Sequence, residues 1–239
     1  YDYELKILAK YYYSKGIKED ELKNKIKDFC KLNISKFNEI KSFKMIKRAV
    51  KYGHTNSLFI VKPIRITKAE IDKIKELDNL KLEKIAFTLL VLSNINKQSY
   101  TLYMKDKLRN LINENNKKKN PIEYKELCKD FPNISRGYFV NEKMNSIFKT
   151  ARVYVKKDEK QAMLKELIDK EFITMSKKCS FKINFIQHNV KKTEIIINNF
   201  EDFILEYEKI KGDNIGQCAE AGCNKLIRIT SNRKMYCNE

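Results

Sequence analysis

The residue types best suited to specific chemistry lie at the C-terminal end, in "CAEAGCNKLIRITSNRKMYCNE", residues 218–239, which holds three of the chain's 6 cysteines. Cys218 and Cys223 are separated by four residues, with Gly222 directly before the second thiol. A small-residue turn of that kind lets two sulfurs converge on one ion, and Cys237 follows after thirteen intervening residues. Tetrahedral Zn²⁺ takes four soft or borderline ligands, commonly as two pairs across a short hairpin. The spacing therefore predicts a structural Zn²⁺ held by Cys218, Cys223 and Cys237. The fourth ligand, a cysteine by preference, is expected beyond Glu239, because neither His54 nor His188 stands at ligand spacing from Cys237. The competing reading is chance clustering of thiols with redox reactivity. Cys30, Cys128 and Cys179 stand apart among apolar or lysine-rich neighbours and read as reduced, buried or bystander thiols. A start at Tyr1 and an end inside an apparent motif suggest that both termini have been trimmed.

The second chemistry is that of lysine. Lys+Arg of 50 against Asp+Glu of 31 gives +19, which favours a polyanionic partner such as nucleic acid. Part of the excess is what an A+T-rich genome writes by default. Residues 156–200 arrange this charge in a telling order. Met163, Leu164, Leu167 and Ile168 share one helical face, "KEFI" turns into a strand, and "SKKCS" forms a tip. The chain then returns with Phe181, Ile183 and Phe185 alternating with Lys182 and Asn184. A helix followed by such a hairpin is the order of a winged helix's recognition helix and wing. The helix over 158–170 would enter the major groove, with Lys156 and Lys157 before it and Lys160 in its first turn; the wing over 176–182 would bring Lys177, Lys178 and Lys182 to phosphate. The competing reading is a hairpin packed on helices with an ordinary solvated lysine face.

These groups need elements to position them. The periodicity predicts helices over 2–14, over 18–32 with Leu22, Ile26, Phe29 and Cys30 on one face, and over 36–52, capped by Ser35 and ended by Gly53. Two of Tyr11, Tyr12 and Tyr13 should pack and one lie exposed. "SLFIVKPIRI" reads as an edge strand or extended connector, and Thr67 with Glu70 has the spacing of a capping box. Residues 80–95 are apolar all round and belong at a domain centre, with Phe87, Leu89, Leu90 and Leu92 in the core. "NENNKKKNP", 113–121, reads as a seam, followed by helices over 121–131 and 141–153. After a third strand, Phe200, Phe203, Ile204 and Tyr207 should dock an acidic helix. Its Glu201, Asp202, Glu206 and Glu208 would face solvent or a partner, away from DNA. The expected fold class is α+β, mainly helical: an N-terminal helical domain (1–115), a winged-helix-like domain (120–214) and a small zinc finger (215–239).

Enzyme chemistry finds no framework. There is no G-x-x-x-x-G-K-[ST], G-x-G-x-x-G or H-E-x-x-H, the 2 histidines are isolated, and the carboxylates are scattered over helix faces. No run of eighteen apolar residues and no signal-peptide pattern occurs, so the expected compartment is the cytoplasm, without a membrane span.

The Cys-x4-Cys pair followed by Ser231, Asn232, Arg233, Tyr236 and Cys237 resembles the small zinc ribbons or treble-clef-like fingers at the C-termini of phage proteins and of CGNR-type zinc-finger regulators. Residues 140–239 as a whole look like uncharacterised temperate-phage proteins that join a winged-helix-like domain to such a finger; the missing fourth ligand is the departure. The resemblance implies phosphate contact by Arg228, Arg233 and Lys234, or a role for them in bracing the hairpin. Together these readings point to a DNA-binding protein, either a transcription regulator or a replication-initiation accessory, with DNA preferred over RNA and zinc in a structural role. The alternative is a protein-interaction factor, such as a phage-encoded antagonist or trigger of a host defence complex. A continuous lysine stripe across wing and finger favours the first, and an even spread of lysines the second.

Overall fold

The computed structural model describes residues 1–117, 138–176, 180–186, 193–223 and 225–230. The fold is α+β and mainly helical, with three small antiparallel sheets among the described residues. Chain contacts divide it into two compact units: residues 1–60 with 99–134, and residues 61–98 with 135–239.

In the first unit, α1 (Asp2–Ser14), α2 (Glu19–Asn33) and α3 (Glu39–Thr55) bury one stripe each. Leu5 and Ala9 meet Leu22, Ile26, Cys30, Ile46, Ala49 and Val50 in a closed apolar core. Burial in that core pushes the Cys30 thiol pKa up. Two local expectations change. Asn38, not Ser35, caps α3, its Oδ1 accepting from the Lys41 amide at 3.0 Å. Gly53 does not end the helix but lies buried inside it, where an added Cβ would stand 2.7 Å from the Ala9 carbonyl carbon. It is the contact at which α1 and α3 approach closely, a demand that local periodicity does not register. Of the tyrosine run, Tyr12 packs on the core while Tyr11 and Tyr13 are exposed, one packed side chain fewer than expected.

The second unit begins with β1 (Ile64–Thr67), which pairs antiparallel with β5 (Thr193–Ile197), Ile64 opposite Ile197. Residues 61–98 therefore fold with the C-terminal half, whereas the sequence grouped them with the N-terminal helices; a strand's partner cannot be read from its own residues. The capping box at the start of α4 (Lys68–Lys75) is present, with the Thr67 amide donating to Glu70 Oε2 at 2.8 Å and the Glu70 amide to Thr67 Oγ1 at 3.2 Å. α5 (Leu80–Lys117) contributes residues 80–98 here and 99–117 to the first unit, so the expected seam is helical as far as Lys117. Its Leu82, Ile85, Phe87, Leu89 and Leu90 are fully buried at the centre of the larger core.

Next come β2 (Phe139–Val140), α6 (Met144–Thr150), α7 (Lys157–Asp169), β3 (Ile173–Met175) and β4 (Phe181–Ile183). The sheet order is β2-β4-β3, all antiparallel, with Phe181 and Ile183 turned into the core and Lys182 outward. Phe203, Ile204 and Tyr207 are buried around α8 (Ile204–Ile210), as the sequence required. A final hairpin pairs β6 (Ile215–Gln217) with β7 (Leu226–Arg228). The helix expected over 121–131 lies outside the described residues. Among the described residues, no helix is long and apolar enough to cross a membrane.

Candidate zinc turn and basic cleft

The β6–β7 hairpin positions the first two candidate ligands. Cys218 directly follows β6, and its amide donates to the Lys225 carbonyl at 2.9 Å, closing the ladder at the start of the turn. The Cys223 amide donates to the Glu220 carbonyl at 3.0 Å, and Gly222 sits at φ +80°, the left-handed conformation for which glycine carries no steric cost. Cys218 is buried and Cys223 half-buried. Two thiols on one tight turn fit one pair of a tetrahedral zinc set. Cys237 lies outside the described residues, as do Arg233 and Lys234. Among the described residues no group of three or more His, Cys, Asp or Glu converges as a metal site.

Arg228 does not present a free guanidinium to phosphate. Its Nη2 lies 2.5 Å from Glu208 Oε2 and 3.8 Å from Asp213, bracing β7 against α8. Glu208, expected on a solvent-facing acidic surface, is 2 % exposed and also accepts from Lys84 Nζ at 2.7 Å. One helical turn away from Ile204, it shares that residue's inward face, and two cations accompany it there. Glu83 is buried beside this pair, accepting from the Tyr207 hydroxyl at 2.7 Å and facing Lys211 Nζ at 3.0 Å. Burial, and secondarily the Glu83 carboxylate, push the Tyr207 pKa far up, so its hydroxyl stays a donor. Asp202 pairs with Arg152 at 2.6 Å and Glu201 with Lys225 at 3.2 Å; burial raises the Glu206 pKa. This network was hidden in the sequence, since each member alone reads as a surface charge.

The remaining basic candidates gather at the start of α7. Lys156 is its N-cap, Lys157 opens the helix exposed, and Lys160 lies one turn on, its Nζ donating to Asn145 Oδ1 at 3.0 Å. Lys156 and Lys160 line an open cleft of about 560 Å³ together with Lys81, Lys149, Phe148 and the strongly exposed Tyr154. Sequence reasoning missed Lys81 and Lys149, which come from the beginning of α5 and the end of α6. Glu159 is the acidic residue in that lining. The helix dipole adds partial positive charge at the same end, so the cleft suits an anion. The outward face of α7 does not: Asp158, Gln161, Ala162, Lys165 and Asp169 are exposed along it with mixed charge. Lys182 is exposed on β4, opposite Thr174 and Phe139, while Lys177 and Lys178 lie outside the described residues. On either side of them, the Ser176 amide donates to the Ser180 carbonyl at 2.8 Å. No protein-family model, curated protein or solved structure matches this chain.

Proposed function

We propose that this protein binds duplex DNA through its second unit, with α7 and the β3–β4 hairpin acting as the helix and wing of a winged-helix-like domain. The observation that supports the reading is, among the described residues, the order β2–α6–α7–β3–β4 with β4 hydrogen-bonded between β2 and β3, which would set α7 beside the β3–β4 hairpin as a helix beside a wing. The lysine cleft at the start of α7 supports the polyanionic partner, with Lys81, Lys149, Lys156 and Lys160 as its phosphate contacts. Because Asp158 and Asp169 lie along the outward face of α7, the contacts here are with backbone phosphate and the affinity is mainly independent of base sequence. Lys157 and Lys182 extend this surface, and Lys177 and Lys178 would complete the wing. A structural Zn²⁺ on Cys218, Cys223 and Cys237 would stiffen the final hairpin and supply folding energy without chemistry. Both a transcription regulator and a replication accessory would use such a surface.

The mixed charge on α7 favours a second reading, in which that face meets a protein partner. Neutralising the cleft separates the two. K149Q/K156Q/K160Q should weaken duplex binding by about tenfold or more at low salt, since each lost phosphate contact also loses its counterion release. Unchanged affinity in that variant would remove the cleft and favour the protein-partner reading.

A further inference from the structure

The first unit carries a basic surface of a different kind from the cleft. On α3, Lys41, Lys44, Lys47, Arg48 and Lys51 are all exposed. At 100° per residue they fall within an arc of about 120°, opposite the buried stripe of Ile46, Ala49, Val50 and Gly53. From Lys41 to Lys51 the array runs about 15 Å along the axis. Among the described residues, Arg48 is the one member with an acidic neighbour, Asp2 at 3.6 Å, and its side chain remains 69 % exposed. Lys10 of α1 adds to the same side, its ammonium group 5.0 Å from the Tyr52 ring centroid, while Lys6 beside it pairs with Asp2 at 2.5 Å.

Lysine-rich composition alone does not produce such a face. α2, in the same bundle, is as rich in lysine, but three of its four lysines meet a carboxylate: Lys25 pairs with Glu21 at 3.5 Å, Lys31 with Asp28 at 3.8 Å, and Lys27 with Glu39 of α3. We infer that the outward face of α3 is a second phosphate-binding surface that grips the backbone of duplex DNA; the inference rests on the DNA-binding reading above. One strand places a phosphate about every 3.4 Å along the duplex axis, so the array spans about four of them. A lipid interface fits less well. The apolar stripe of α3 is occupied by the bundle core, and its exposed large apolar side chains, Ile40 and Phe43 near one end and Tyr52 near the other, do not form a continuous face that could insert.

The test is K44Q/K47Q/K51Q in the full chain, with duplex binding followed across a salt series. The expected result is weaker binding and a log K against log salt plot shallower by about 2–3, at about 0.9 per phosphate contact. K44R/K47R/K51R should bind like the parent, and K25Q/K31Q on α2 should change the slope far less. Helical circular dichroism of each variant should match the parent, since these side chains are exposed or, for Lys25, half-buried. If the parent binds and K149Q/K156Q/K160Q weakens it while the α3 variant does not, the inference fails and the DNA-binding reading stands. If the parent does not bind duplex DNA, both fail. A loss of binding to anionic phosphatidylserine vesicles in the α3 variant, with duplex binding unchanged, would reassign the face to a membrane surface and overturn the inference.

Discussion

Gly53→Ala should destabilise the N-terminal helical bundle, although the same change in an exposed helix interior stabilises it by about 0.8–1 kcal/mol. The difference lies in what the new methyl meets. A Cβ at this position stands 2.7 Å from the Ala9 carbonyl carbon, 2.8 Å from its Cβ and 2.9 Å from its oxygen. Two of these three atoms are backbone and cannot rotate away, so α1 and α3 must separate. That separation loosens the contacts of Leu5, Ala9, Ala49 and Val50 together, in a core with no slack. Overpacking of this kind costs about 1–3 kcal/mol, or more where backbone must move. Because backbone must move here, the cost falls in the upper part of that range, about 2–3 kcal/mol, and against the propensity gain the net is a loss of about 1–2 kcal/mol. Urea unfolding followed by far-ultraviolet circular dichroism reads it as a lower midpoint. Ala9→Gly in the same chain should recover only part, since it removes one of the three contacts. A Gly53→Ala variant as stable as the parent, or more so, would refute the close approach.

Tyr207→Phe removes the hydroxyl that donates to buried Glu83 and should cost about 1.5–3 kcal/mol at neutral pH in urea unfolding. Because the folded pKa of Tyr207 lies above its unfolded value, its contribution is complete below about pH 10 and is lost as pH rises beyond it, so the variant should show a flatter alkaline decline. Cys223→Ser should lower bound zinc from about one ion per chain, measured by elemental analysis of the purified protein; equal zinc in parent and variant would detach Cys223 from the metal. Thr67→Ala breaks the capping box before α4 and should cost about 1 kcal/mol in denaturant unfolding, and a change near zero would show that the box contributes nothing net.

What the sequence revealed was whatever is local. Helix α1 has the expected bounds, Thr67 and Glu70 cap as their spacing required, and the apolar girth of residues 80–95 puts them at the centre of a core. Gly222 before Cys223 likewise specifies its own turn. What stayed hidden depends on partners distant in the chain. The pairing of β1 with β5 moves residues 61–98 into the C-terminal unit, and no feature of "SLFIVKPIRI" names that partner. Glu208 carries the charge of a surface residue and becomes buried only because Lys84 and Arg228 converge on it. Lys81 and Lys149 reach the cleft from two other helices, so no window of sequence contains the site. The basic residues of α3 formed no part of the sequence reading, because only the packing of Ala49 and Gly53 tells which side of the helix is free.

The measurement that tests the central claim most directly is binding of the full-length, zinc-loaded chain to random-sequence duplex DNA across a salt series, beside single-stranded DNA and RNA of equal length. Preferential duplex binding is expected, with a log K against log salt slope of about −3.6 or steeper, about 0.9 for each of the four cleft lysines. Weak binding with a slope near zero, or no preference for duplex, would contradict it.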